Sequence, residues 1–558
     1  MGLGVNFHCE PANVTMNPVF QIIRPRGSLF RTMGLIAASL LTLHIVFSAS
    51  AATAQVLRRG NGTEPATLDP HRATGVPESN ILRDLFEGLV TEGPAGELLP
   101  GAAERWEVSA DGTIYTFYLR SEGRWSNGEP VTAEDFRFSL RRGVAPATAS
   151  DYSFILSPIR NAEDITSGRI AEPEALGVRV IDERTLEITL KAPTPYFLAL
   201  LAHTMAYPVH RASLEKHGVR FTRPGNLVGN GAYRLVEWRP QDRVRLIRNE
   251  NYRAAATVSI PEVHYYPTED QNTELRRYRA GELDMTATVP IDQLDWVKQN
   301  LPGDYKVAPY LGTYYYVLNV AKPPFKNNPN LRWALSLAIN RQILTDKVTK
   351  GGQIPAFGWI PPGVQNYQPQ KMDQAEMDQE QRERLARGMY RAAGYLPNNP
   401  LEVEILYNTS EGHKMIAVAI AAMWRKALGV RTRLVNREWK VYLNSRKQGD
   451  FMIARAGWIG DYNDANTFAE LMLSDSGIND AGYNNPDYDV SVRKAALTTD
   501  LKERVRLLES AERQLLADHP IIPIYHYVSQ SLVRPEVKGW QSNILDHHAS
   551  QHLRLDEP

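Results

Sequence analysis

The chain has 558 residues, 43% of them hydrophobic and 23% charged, a length beyond one core and a composition ordinary for a soluble protein of two or three domains. Lysine plus arginine equals aspartate plus glutamate at 63 each, so no overall field draws in nucleic acid or an anionic membrane. Specificity then has to lie in a local site.

At the N-terminus Arg24, Arg26 and Arg31 precede an apolar run from Met33 to Phe47, and small residues ending Ala52-Thr53-Ala54 follow. This is the order of a cleaved secretory signal, and the run is short for a membrane span. The predicted leader is 1–54, with the mature chain beginning at Gln55. Its long n-region makes Met16 an alternative start; a mitochondrial-type leader and an uncleaved anchor are the competing readings. Cys9, the single cysteine, falls within the leader. The mature protein is therefore expected to have no disulfide, no thiolate chemistry and no lipidated first residue, as a free periplasmic protein would.

Further along, Thr113 to Leu119 alternates apolar and polar residues, and Val178 to Ile181, a polar turn at Asp182 to Thr185, and Leu186 to Leu190 read as a β-hairpin. Thr132 followed by Asp135 reads as a capping box opening a helix through Arg142. Gly229-Asn230-Gly231 lacks the third glycine of a nucleotide loop and reads as a turn before a strand from Ala232 to Glu237. Helices fit Asn330 to Val348, Gln381 to Ala393, His413 to Leu428 and Leu501 to Ala517. Strands and helices mixed throughout indicate an α/β or α+β protein, and 36 prolines with 38 glycines argue for many turns rather than long bundles.

A secreted hydrolase is the competing class. The chain has no H-E-x-x-H, G-x-S-x-G, C-x-x-C or G-x-x-x-x-G-K-[ST], so zincin, serine-elbow, thiol-redox and P-loop chemistry lack their local signatures. Paired glycosidase carboxylates have a spatial rather than sequential spacing and stay open. His547 and His548 beside Asp546 suggest a metal, but neighbouring histidines on an extended segment point apart, and a solvated tail is the favoured reading. No metal and no cofactor is expected.

The run Arg455 to Asn463, RAGWIGDYN, sets a cation, a glycine, an indole and a carboxylate within nine residues. A zwitterion with apolar flanks needs such partners: a carboxylate for its ammonium, a guanidinium for its carboxylate, a ring to lie on and open backbone for its amides. The plain alternative is a strand and turn, with Asp461, Asn463 and Asp464 as turn residues.

Together with TLDPHRATGVPESNILRDLFEGL (Thr67 to Leu89), TIYTFYLRSEGRWSNGEPVTAEDF (Thr113 to Phe136), PGNLVGNGAYRLVEW (Pro224 to Trp238), YLGTYYYVLNVAKPPF (Tyr310 to Phe325) and LYNTSEGHK (Leu406 to Lys414), this run resembles periplasmic oligopeptide-binding proteins of ABC importers, a branch of extracellular solute-binding family 5. The resemblance covers nearly the whole chain from Val56. It implies an α/β, two-lobed periplasmic binding protein (type II-like, class C) with an extra domain and the ligand enclosed between lobes. The implied division is 55–86, 211–311 and 529–558 for the first lobe, 87–210 for the extra domain and 312–528 for the second lobe.

By the same resemblance Asp461 pairs with a ligand ammonium, and Gly457, Trp458 and Ile459 line the cleft. Arg455, Arg446 and His413 receive the ligand carboxylate, and Val76, Tyr152, Tyr315, Asn408, Trp439, Leu443 and Tyr527 complete the lining. On their own, Tyr314 to Tyr316 and Trp439 read as core aromatics, His413 as a helix-start surface residue and Arg446 as a solvated helix face. Ile459 replaces a cysteine frequent in relatives, Thr74 and Val317 stand where an acid is frequent, and Thr349, beside Lys350, stands where a lysine is frequent. The implied function is that of a monomeric, non-enzymatic periplasmic receptor. It takes short peptides of about two to five residues by their termini and backbone and delivers them to ABC permease subunits with cytoplasmic ATPases, without nucleic acid. A muropeptide or signal-peptide receptor is the rival on the same fold.

Overall fold

The computed structural model describes residues 55–556. The predicted leader and Cys9 lie outside the described residues.

A four-stranded sheet orders Val56–Gly60, Glu262–Tyr266, Arg243–Arg248 and Tyr233–Arg239, its first pair parallel and the others antiparallel. The alternation in Arg-Val-Arg-Leu-Ile-Arg explains one of these strands: Val244 and Leu246 are buried, while Arg243 and Arg245 pair with Glu237 and Glu262 on neighbouring strands. Helix Val76–Leu85 covers the buried face through Ile81, Leu82 and Leu85. Val537 and Leu553 join this core, so the C-terminal segment is folded back rather than solvated. His547 is accordingly fixed: its Nδ1 lies 2.5 Å from Glu92 Oε2, and Arg83 Nη2 is 2.7 Å from its Nε2. The expectation of a solvated histidine tail is thereby corrected. His548 lies against Asp546 at 3.0 Å.

A second, wholly antiparallel sheet orders Ala103–Val108, Ile114–Leu119, Thr185–Thr189 and Val178–Asp182. The predicted hairpin is its edge. Helix Ala133–Val144 backs it and opens on the expected reciprocal box, Asp135 N–H to Thr132 Oγ1 at 3.4 Å and Thr132 N–H to Asp135 Oδ2 at 2.8 Å. Trp125 anchors this core.

The third sheet has six strands in the order Ile354–Pro355, Ile521–Leu532, Tyr305–Leu318, Ile453–Ile459, Glu402–Asn408 and Arg431–Arg437. Helix Glu411–Leu428 makes the crossover between the parallel pair Glu402–Asn408 and Arg431–Arg437. Two long strands connect the lobes. Leu532 packs with Leu275, Tyr278 and Leu283 beside the first sheet, whereas Ile522 and Ile524, ten and eight residues earlier, lie in the core of the third. One strand thus serves two cores, which is the geometry of a two-lobed protein. The ladder between these strands is interrupted between Pro309 and Thr313 and again at Tyr314/Tyr315.

Helices Gln379–Ala392, Glu411–Leu428 and Leu501–Asp518 lie within two residues of their predicted bounds. The predicted helix from Asn330 to Val348 is broken instead, into Pro329–Leu337, a turn at Arg341–Ile343 and a π-turn at Leu344–Thr349. The break has a local cause: Asn340 Oδ1 accepts from Ile343 N–H at 3.0 Å, so a new N-cap forms inside the apolar pattern.

Candidate functional site

The strand Ile453–Ile459 lies inside the six-stranded sheet, antiparallel to Tyr305–Leu318 and parallel to Glu402–Asn408. Ala454 and Ala456 are buried in one core, which turns Arg455, Gly457 and Ile459 to the opposite face. There Arg455 Nη2 donates to the Tyr527 hydroxyl at 3.1 Å, and Nη1 approaches Asn408 Oδ1 at 3.5 Å. The guanidinium lies 5.0 Å from the Tyr314 ring centroid. Its Nε is buried without a hydrogen-bond partner, and among the described residues it forms no ion pair. A cation left among hydroxyls and ring faces is suited to an incoming carboxylate.

His413 extends this end. Its backbone N–H is capped by Ser410 Oγ, its ring lies 5.6 Å from Tyr314, and Nδ1 is 3.4 Å from the Tyr314 hydroxyl. Burial, aided by the charge of Arg455, holds its pKa well below the ordinary imidazole value, so it is a neutral hydrogen-bonding ring and not a cation. Arg446, also expected to take a carboxylate, already pairs with Asp480 at 2.5 Å and leans on Tyr442. Its charge is met within the chain.

Tyr315 is corrected to a core residue, 3% exposed and set edge-on against Trp359 at 4.7 Å. Strand parity explains it: Tyr316 pairs directly with Arg455, so Tyr314 and Tyr316 share its face and Tyr315 takes the other. Tyr314, itself fully buried, is the tyrosine whose ring backs Arg455 and His413, a contact that the sequence reading did not assign. Gly457 lets the Tyr527 hydroxyl come close, since a Cβ there would collide with it. Trp458 is half-buried with its Nε1 unpartnered, and Ile459 abuts Gly312. Val76, Trp439 and Leu443 are exposed, at 54%, 47% and 40%; Trp439 stacks on Tyr442. Thr349 is buried and donates to Gln353 Oε1 at 2.8 Å, Lys350 pairs with Asp295 at 2.7 Å, Thr74 is exposed and Val317 is core.

Just past the strand, three polar side chains separate by what they do. Asn463 Oδ1 accepts from Gln365 N–H at 3.1 Å, while Asp464 caps Asn466 N–H at 2.8 Å and chelates Arg504 at 2.6 and 3.0 Å. Both have structural duties. The Asp461 carboxylate has none: Oδ2 is buried without a hydrogen bond, and Oδ1 lies 3.9 Å from His203 Nε2. Burial pushes its pKa up to about 7 against the pull of Arg83. An acceptor kept dry and unmatched is costly unless something brings a donor to it. His203 and Arg83 come from regions apart from this sheet; Arg83 lies within the Thr67–Leu89 stretch without having been given a role, and His203 lies in none of the quoted stretches. Close by, Tyr462 stacks on Tyr196 at 5.2 Å and is buried in the core of the second sheet, so the segment leaving the C-terminal end of this inner strand is packed against that domain.

Residues 97–480 match the model of bacterial extracellular solute-binding proteins, family 5, middle region. The chain belongs to that family. This family 5 protein is 43% identical to the periplasmic oligopeptide-binding protein OppA of Escherichia coli over 87% of its length and 90% of the relative's. It is 40% identical to the periplasmic murein peptide-binding protein MppA of the same species over 88% and 91%. Among solved structures it resembles Haemophilus influenzae OppA in complex with RPPGFSPFR, with a TM-score of 0.84 at 39% identity, covering 90% of this chain and 99% of that one. MppA itself gives 0.86, covering 91% and 99%, while its unliganded open form gives 0.71, covering 90% and 98%, both at 39% identity. Equal identity with unequal superposition means that the lobes of the family 5 protein described here are disposed unlike those of the open form.

Proposed function

We propose that this protein is the periplasmic receptor of an ABC peptide importer, enclosing short peptides by their two termini and passing them unchanged to a membrane permease. The observation that carries the reading is the pair of unmatched charged groups on one strand and its extension: a buried carboxylate oxygen without a donor at Asp461 and a buried guanidinium without an anion at Arg455. Asp461 lies six residues beyond Arg455, two past the end of the strand at Ile459, so the backbone between them spans at most about 20 Å. A peptide of two to five residues spans about 7 to 17 Å, and side chains reaching in from both ends take up the difference. OppA, by its name, binds oligopeptides and shares this fold.

The lobe boundaries expected near Leu311/Gly312 and Val528/Ser529 are supported by the ladder interruption between Pro309 and Thr313, where the paired strands can flex. Ligand would then favour the closed arrangement by binding it more tightly. The test is thermal unfolding with tri- and tetrapeptides. A ligand at one hundred times its dissociation constant adds about 2.7 kcal/mol, and no shift with any peptide alongside a clear shift with sugars would sink the reading. Mass spectrometry of co-purified ligand names the cargo. A murein-peptide receptor is the second reading, favoured by the similarity to MppA; competition between a cell-wall tripeptide and an ordinary tripeptide separates the two.

A further inference from the structure

His203 approaches Asp461 from the domain of the second sheet, between Leu201 and Met205 of its core. It caps the short turn Thr204–Ala206, with its Nδ1 accepting the Met205 N–H at 3.1 Å. That bond fixes the tautomer. A neutral imidazole whose Nδ1 is an acceptor carries its proton on Nε2, and Nε2 is the atom facing Asp461 Oδ1 at 3.9 Å. The ring is held flat against Tyr152, 5.5 Å away and 5° from parallel. The His203 and Asp461 side chains are 9% and 12% exposed.

Burial, with the charges of Arg83 and His547 against that of Glu92, holds the imidazole neutral, its pKa pushed down to about 3. A neutral Nε2–H cannot accept from an ammonium, so His203 has nothing to offer the ligand's amino terminus directly. It can donate only to the carboxylate. The present 3.9 Å exceeds hydrogen-bond length, and a movement of about 1 Å brings it within range.

We infer that His203 is a positioning residue of the ammonium site: its Nε2–H, oriented by the Met205 amide, takes Asp461 Oδ1 across the cleft and leaves Oδ2 aimed at the ligand's amino terminus. The inference rests on the proposed peptide-binding role of Asp461. It makes recognition of the ammonium depend on lobe closure, because donor and acceptor sit on different parts of the fold.

Two variants separate this role from turn capping. His203→Asn keeps a side-chain acceptor for the Met205 N–H, asparagine being a good N-cap, but falls short of Asp461. His203→Gln places an amide N–H near the position of Nε2. Calorimetry with a tripeptide and its N-acetylated form is run on the wild type and both variants. The expected result is a preference for the free amino terminus that drops about tenfold in His203→Asn and largely returns in His203→Gln, with the acetylated peptide bound about equally by all three. A preference unchanged in His203→Asn, or equal losses for both peptides, overturns the inference while leaving the peptide-binding reading in place. A wild type without preference for the free terminus overturns both.

Discussion

The two ends of the candidate site are built on different principles. Around Arg455 every contact comes from the lobe of the six-stranded sheet: Tyr527 and Asn408 by hydrogen bonds, Tyr314 by its ring face, His413 beside them. A guanidinium stays charged under any condition the protein meets, so this end is complete whether or not the cleft is closed. Asp461 is different. The groups that face it, His203 and Arg83, belong to other parts of the fold, and its own ionisation is in balance near neutrality. On the proposed closure, one end is preformed and the other is assembled as the cleft shuts, which would make the carboxylate end the sensor.

The sharpest break of this comparison is Asp461→Asn. If its carboxylate meets a ligand ammonium in a closed, dry cleft, the substitution leaves that cation unpaired, a loss of about 3 to 5 kcal/mol, or a hundredfold to a few thousandfold in affinity. N-acetylation of the peptide should weaken the wild type by as much and cost the Asn variant far less. Additive effects across the four titrations would show that Asp461 does not hold the amino terminus. At the other end Arg455→Gln removes a charge-assisted bond, about 1.5 to 3 kcal/mol or ten- to a hundredfold. Amidating the peptide's carboxyl should abolish that difference; an equal loss for the acid and amide forms would mean that Arg455 only packs.

Protonation tests the asymmetry with a smaller effect. Facing Asp461 are His203, neutral with its pKa pushed down to about 3, Glu470, raised to about 8 by burial, the fixed charge of Arg83, and the high-pKa hydroxyls of Tyr152 and Tyr310. Near pH 7 Asp461 is about half ionised, whereas Glu470, coupled to it, stays mostly protonated, so between pH 6 and 7 the larger change of charge is at Asp461. Ammonium binding needs it ionised, so lowering the pH from 7 to 6 should weaken peptide about fivefold and make binding release protons. The stability of the ligand-free protein runs the other way. A folded pKa raised from 3.8 to about 7 gives a contribution fully present below 3.8 and lost as pH rises toward 7. Asp461→Asn should flatten both profiles, and a pH-independent affinity in the wild type would contradict the asymmetry.

Local rules made much of the frame legible. The Thr132/Asp135 box, the hairpin ending at Thr189 and the helix from Leu501 each follow from neighbours in sequence. RAGWIGDYN pointed to Asp461 because its chemistry is compressed into nine residues. What escaped depends on pairing across the chain. Which of three consecutive tyrosines faces Arg455 is a matter of register, and one step moves the answer from Tyr315 to Tyr314. His203 and Arg83 sit 258 and 378 residues before Asp461, and only the tertiary fold brings them near it. The half-buried His547 was unreadable for the same reason, since its partners Glu92 and Arg83 lie at the opposite end of the chain.

The smallest expected effect lies beyond the Arg455 end and sharpens the idea that this end is preformed. Lys350 is the cation expected for a longer peptide, but its ammonium is bound to Asp295 in an exposed pair, and Thr349 beside it is turned inward onto Gln353. An exposed, well-solvated lysine contributes little to any ion pair, and this one already has a partner. A fifth peptide residue therefore finds a neutralised lysine rather than a waiting charge. Calorimetry over a series of two to six residues should show affinity declining beyond four residues, and Lys350→Ala should change pentapeptide binding by no more than about twofold. Pentapeptides bound as tightly as tripeptides, with a large loss on Lys350→Ala, would mean that Lys350 leaves Asp295 for the ligand. The far end of the site would then be as adaptable as the Asp461 end, and the contrast between the two would fail.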